Sequence, residues 1–217
     1  MTARKATRKV ARRRTQAERT ATSERAMLRA ARALIATQGY TKTSLAQIGK
    51  RAGYTGGLVG HHFGSKLGLL RRLIEDVGSR FSSDQMEAAT KGREGLTALC
   101  AVADAYLEEL VLREEAVRAL YVLMGEALGP VPEINPMFVE LNRFYLEQVR
   151  SLVEQGIELG EIRADIDPEA EAALLVGMAR GIALQRIEDP DCFDLDAVRA
   201  SVQTAIRRHL ARLGEAP

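Results

Sequence analysis

The sequence has no tryptophan, only two cysteines and six prolines in 217 residues, and aromatic side chains make up just 5% of it. Cys100 and Cys192 lie far apart, form no C-x-x-C and have no histidine at ligand spacing, so a structural zinc site and a dithiol redox motif are excluded. They read as reduced thiols of a cytoplasmic protein. No apolar run approaches the roughly 18 residues that cross a bilayer, so no membrane partner is expected. The N-terminus has charge without an apolar core, unlike a secretory signal. It is Arg-rich like a transit peptide, but Val10 is the only large aliphatic residue in positions 2–20. Period-two β-branched runs are missing, which argues against strands. No paired carboxylates, nucleophile–base set or metal cluster stands out. The expectation is therefore no enzyme, no metal and no cofactor.

What is present is charge, unevenly placed. The formal net charge is only +2, yet residues 1–72 hold 17 Lys and Arg against two acids, and residues 73–217 hold 14 against 27. The first part is built to meet a polyanion and the second is not. Residues 1–20, "MTARKATRKVARRRTQAERT", lack apolar periodicity and read as a basic arm. Thr15-x-x-Glu18 has the form of a capping box, so the first helix starts either there or near Ser23.

Met27, Leu28, Ala31, Leu34 and Ile35 then fall on one helical face, ended by Gly39. Ser44-x-x-Gln47 caps a short helix that Gly53 stops, Thr55 caps another, and Ser65 begins one running toward Ala89. Long helices are expected near 94–112, 114–128, 135–160, 168–188 and 194–212. The fold class is all-α: an N-terminal helix-turn-helix domain, and a C-terminal helical domain for ligand binding and dimerisation. The domains divide as 1–20 (arm), 21–81 (DNA-binding) and 82–217.

The stretch "AGYTGGLVGHHFGSK" (52–66) decides the function. It is not a Walker loop, because Ser65 stands where the second glycine belongs and Leu67 where Ser or Thr should follow Lys66. Nor is it a dinucleotide fingerprint, since Thr55 replaces the first glycine and no strand precedes it. His61 and His62 point about 100° apart on a helix and make a poor metal pair. Two short helices around Gly53-Tyr54 match a helix-turn-helix, whose second helix enters the DNA major groove. A plain antiparallel helix pair has the same spacing, but not the charge segregation or the arm.

"SLAQIGKRAGYTGGLVGHHFGSK" resembles the N-terminal domain of the tetracycline-repressor (TetR) family of bacterial transcription regulators. Ser44, Ile48, Ala52, Gly53, Thr55, Gly57, Val59, His62, Phe63, Ser65, Lys66 and Leu69 fall in register with its pattern. "IDPEAEAALLVGMARGIALQRIEDPDCFDLDAV" is similar to the last two helices of choline-repressor (BetI)-like regulators. Two departures stand out: Gly60 replaces a Tyr that touches the DNA backbone in the family, and Leu67-Gly68 replace an acidic residue that supports the next helix.

The resemblance implies a ligand-responsive regulator, a repressor in the simplest case, binding a palindromic site on double-stranded DNA as a homodimer. The alternative is a ligand-independent architectural DNA-binding protein using the basic arm. The expected DNA contacts are Ser44, Gln47, Thr55, Gly56, Gly57, Leu58, His61, His62 and Lys66, with Arg12, Arg13 and Arg14 of the arm on phosphates or in a minor groove. Gly56, Gly57 and Gly60 would let the backbone lie close to the groove.

An unknown small-molecule effector is expected in a pocket drawn from Tyr106, Tyr121, Met124, Phe138 and Tyr145. A choline-type ligand would suit an aromatic cage, although five tyrosines and no tryptophan offer little material for one. Ala173, Gly177 and Gly181 recur every four residues, and Val198, Val202 and Ile206 form an apolar stripe. Both are expected at the dimer interface, with burial inside one chain as the other reading.

Overall fold

The computed structural model describes residues 15–79 and 85–212. Helices α1 (Gln16–Gln38), α2 (Leu45–Ala52), α3 (Gly56–Phe63) and α4 (Lys66–Ser79) form a head. Helices α5 (Met86–Thr90), α6 (Gly95–Leu112), α7 (Glu114–Ala127), α8 (Asn135–Glu158), α9 (Pro168–Glu188) and α10 (Leu195–Leu210) form a body. A short 3-10 turn, Pro132–Ile134, leads into α8. Among the described residues the only β-pairing is one isolated bridge between Ile162 and Ala211.

Local chemistry sets the helix ends. Thr15 and Glu18 exchange backbone hydrogen bonds in a capping box: Thr15 N–H donates to Glu18 Oε2 at 2.7 Å, and Glu18 N–H to Thr15 Oγ1 at 3.2 Å. The helix therefore starts at Gln16 and not near Ser23, so residues 15–20, expected in the arm, are its cap and first turn. Arg12, Arg13 and Arg14 lie outside the described residues. Ser44 and Gln47 form a second capping box. Thr55 caps α3, Asp167 caps α9 ahead of Pro168, and Asp194 caps α10; each cap contributes about 1 kcal/mol. The stretch expected as one helix from Ser65 to Ala89 holds α4 and α5, with 80–84 outside the described residues.

Four apolar clusters hold these helices, the smallest joining Met86 of α5 to Val102 of α6 and Tyr145 of α8. Met27, Ala30 and Ala31 of α1 close on Ile48 of α2, Val59 of α3 and Leu69 of α4. Each of the two short helices has one fully buried large side chain, Ile48 or Val59. Truncating Ile48 to alanine would cost about 2–5 kcal/mol, a large fraction of the stability of so small a unit. A second cluster joins Leu28 and Ile35 of α1, Leu70 and Leu73 of α4, Leu123 of α7 and Phe138 of α8. It ties head to body. The third fills the body between α6, α8, α9 and α10.

Candidate nucleic-acid interface

Helices α2 and α3 cross unusually close. A Cβ on Gly49 would come 2.7 Å from the Thr55 carbonyl carbon, and one on Gly56 would come 2.8 Å from Ala46 Cα. Only glycine fits at either position. The Cα side of Gly56 is thus spent on the helix crossing, which leaves its backbone N–H at the start of α3 as the group it can offer to DNA. Gly57 is the open one: the nearest atom to a Cβ there is Thr55 Oγ1 at 4.0 Å.

Crossing there turns one face of the pair outward. Ser44, Gln47, Thr55, Gly57, Leu58 and His61 are all exposed, with Leu58 43% exposed despite being apolar. Beside them lie three exposed cations that the motif reading passed over, Lys42, Lys50 and Arg51. Their signal was in the sequence: Lys50 and Arg51 occupy the last turn of α2, where they also complement the helix dipole. The Thr55 side chain accepts from Leu58 N–H at 3.2 Å. Gln47 is already engaged, accepting from Ser44 N–H at 2.8 Å.

Two further expected contacts, His62 and Lys66, are engaged within the chain. His62 Nε2 lies 3.6 Å from Glu24 Oε2 on α1, and its ring packs edge-on against Phe63. Lys66 Nζ donates to the Tyr40 carbonyl at 2.6 Å and sits 4.0 Å from the centre of the Tyr40 ring. Burial lowers its pKa, and the Glu126 carboxylate pulls the other way. Both side chains tie elements of the head together.

Glu126, near the end of α7, completes that contact. Its carboxylate accepts from Tyr40 N–H at 2.9 Å and from Thr41 N–H at 3.3 Å. Gly39 has φ +79°, and a Cβ there would come 2.7 Å from Glu126 Oε1. The turn between α1 and α2 is therefore clasped by one body residue and one head residue. Arg32 on α1 and Glu115 on α7 add a second tie at 3.0 Å.

Inside the body, Tyr106, Tyr121 and Tyr145 come together. The Tyr106 and Tyr121 hydroxyls are 2.7 Å apart, and Tyr121 reaches the Arg180 carbonyl at 3.4 Å. Burial is the main cause raising all three phenol pKa values, so they stay protonated. Tyr106 and Tyr145 border an apolar cavity between α6, α8, α9 and α10, which measures about 600 Å³ counted out to its open mouth. Met124 and Phe138 do not line it; they belong to the cluster under the head, a correction to the expected pocket. Arg180, Glu109 and Arg113 were missed, because in sequence each looks like part of a solvated helix face.

The interface stripe is also corrected. Val202 (6% exposed) and Ile206 (2%) are buried and line the same cavity, and Val198 packs against that core. On α9, Ala173 and Gly177 are exposed, and a Cβ on Gly177 or Gly181 would meet nothing within 4 Å.

The model of bacterial regulatory proteins of the tetR family matches residues 27–73, and the model of the BetI-type transcriptional repressor C-terminal domain matches residues 95–212. The HTH-type transcriptional regulator UidR of Escherichia coli (strain K12) is 30% identical over 169 residues, covering 76% of this chain and 81% of that protein. The chain belongs to the TetR family. Like its relatives it is a transcriptional regulator and not an enzyme. The fold agrees. The structure of NalD, described as the secondary repressor of the MexAB-OprM multidrug efflux pump in Pseudomonas aeruginosa, superposes with TM-score 0.72 at 22% identity over 89% of this chain and 99% of that one. A SmeT–triclosan complex gives TM-score 0.74 at 22% identity over 90% and 95%. In this TetR-family regulator no described helix is long and apolar enough to cross a membrane.

Proposed function

We propose that the chain is a ligand-responsive repressor that binds a palindromic operator as a homodimer through the outward face of α2 and α3. The observation that carries this reading is the glycine-closed crossing at Gly49 and Gly56, which presents Thr55, Gly57, Leu58 and His61 as one exposed edge flanked by Lys42, Lys50 and Arg51. Backbone N–H groups at the start of α3 suit a phosphate, Leu58 suits a thymine methyl, and His61 suits a base edge or phosphate. The arm residues Arg12, Arg13 and Arg14 would add phosphate contacts, each steepening the log–log salt dependence by about 0.9.

A two-fold dimer would present two such edges to two half-sites. The open face of α9 around Ala173, Gly177 and exposed Leu174 supports its assembly. The small-molecule effector would occupy the tyrosine-lined cavity. Helix α7 carries Tyr121 toward that cavity and Glu126 to the head, so a shift of α7 moves the clasped turn before α2. Effector and operator then weaken each other by the same factor. The architectural alternative leaves both the cavity and the clasp without a role.

Selection of bound fragments from genomic DNA tests the reading. The expected result is a palindromic site, recovered in competition with unrelated DNA. Equal affinity for all fragments would favour the architectural alternative, and no binding at low salt would remove the reading.

A further inference from the structure

We propose that the effector is an amphipathic carboxylate, held with its apolar body between α6, α8, α9 and α10 and its anionic head at Arg180. This rests on the reading of the cavity as the effector site.

The walls are apolar almost throughout, with Leu99, Val102, Val149, Leu175 and Ile206 among them, and among the described residues Arg180 is the one charged residue lining it. Arg180 donates to the neutral amide of Asn142, which leaves the guanidinium's charge uncompensated by that bond. Its positive field opposes the rise in pKa of Tyr106, Tyr121 and Tyr145, so the charge is felt at all three phenols. Tyr106 and Tyr145 also border a second, smaller space lined by Glu109, Arg113 and Tyr121. The buried Glu109 carboxylate there is already taken by Arg113 at 3.2 Å and by Gln85 Nε2. Arg113 Nη2 is buried with no hydrogen-bond partner.

Around the phenols stand two guanidiniums, Arg180 and Arg113, and one carboxylate, Glu109, that Arg113 and Gln85 already hold. Among the described residues the net sign there is positive. A carboxylate supplies acceptors and the opposite charge, in a setting where charge-assisted hydrogen bonds are about twice as strong as neutral ones. A quaternary ammonium would meet repulsion there, despite the aromatic rings. A neutral alcohol of the same length would gain the apolar contacts only.

The test is calorimetric titration of the full chain, without DNA, by sodium octanoate, octan-1-ol and octyltrimethylammonium bromide, each below its micellar concentration. Octanoate should bind at least about tenfold more tightly than the ammonium compound, with octanol between, a modest share of what a close ion pair out of water can supply. Arg180→Met should remove the octanoate preference while leaving octanol affinity unchanged, and Arg180→Lys should keep most of it. If Arg180→Met does not fold, the charge series on the unaltered chain still decides.

Equal or tighter binding of the ammonium compound would overturn the proposal, as would equal losses for octanoate and octanol in Arg180→Met. If no probe binds while the chain still selects operator DNA, the ligand class is wrong and the regulator reading stands. If octanoate binds with the expected preference but no DNA is selected, the regulator reading fails and the ligand class stands.

Discussion

In the head, α2 and α3 span eight residues each and cross at two glycines; in the body, α8 and α9 run 24 and 21 residues and border a cavity. The head is closed sterically. Backbone touches backbone at the crossing, one large side chain per short helix is buried, and little can shift without opening the unit. The body is closed by side chains around a gap that can be filled. On the proposed reading, rigidity at one end and a fillable interior at the other would let a small molecule move a DNA reader without deforming it. The contacts between the two regions are polar at Tyr40, Thr41 and Arg32, and broadly apolar under α1 and α4.

Substitutions that harm one region and spare the other probe this contrast. The largest effect is expected at the body's outer face. Gly177→Arg would place like charges across the proposed two-fold interface, at a cost of several kcal/mol. Sedimentation velocity should show a dimer for the unaltered chain and a monomer for the variant, and operator binding should fall with it. The side chain projects into open space, so helical content should be unchanged. A dimer that persists would move the interface elsewhere.

Gly56→Val comes next, because a Cβ cannot fit against Ala46. Overpacking of this kind costs about 1–3 kcal/mol. DNA binding should be lost in a gel shift, while octanoate titration of the body is unchanged. If effector binding falls equally, head and body are not separable in the way described.

Glu126→Ala leaves two backbone N–H groups without their acceptor, at a cost of about 1–3 kcal/mol. Its distinctive readout is coupling. The ratio of effector affinities with and without operator should approach one, even where each ligand still binds alone. Glu126→Gln, which keeps an acceptor, should retain part of the ratio.

The smallest effect belongs to His62→Ala. Its pair with Glu24 is partly solvated, and such pairs contribute at most about 1 kcal/mol. The melting temperature should drop slightly and operator affinity should barely change. A large loss of affinity at unchanged melting would restore His62 to the DNA contacts.

The two regions also differ in how far they were legible in the sequence. The head is written locally: Thr15-x-x-Glu18 and Ser44-x-x-Gln47 are capping boxes on paper and in space, and Gly39 and Gly53 end helices as their positions suggest. What stayed hidden there is direction. That Lys66 turns back to Tyr40 and His62 to Glu24 depends on where α4 and α1 meet, which no spacing encodes. In the body, helix boundaries were readable to within a few residues, but apolar stripes do not say what they face. Val202 and Ile206 repeat like an interface and turn inward; Met124 and Phe138 look like pocket aromatics and sulfur but sit under the head. Glu109 and Arg113 have the i, i+4 spacing of a surface ion pair, and only the packing of α6 against its neighbours buries the carboxylate.

The central claim is that the exposed edge of α3 reads duplex DNA. Leu58→Glu tests it most directly, since Leu58 is exposed on that edge, and a carboxylate there meets phosphates and bases while leaving the apolar clusters intact. With a fragment recovered by selection, the account predicts unchanged melting, unchanged dimerisation and an affinity lower by at least about tenfold, more so at low salt where phosphate charge is least screened. Unaltered affinity in the folded variant would contradict it.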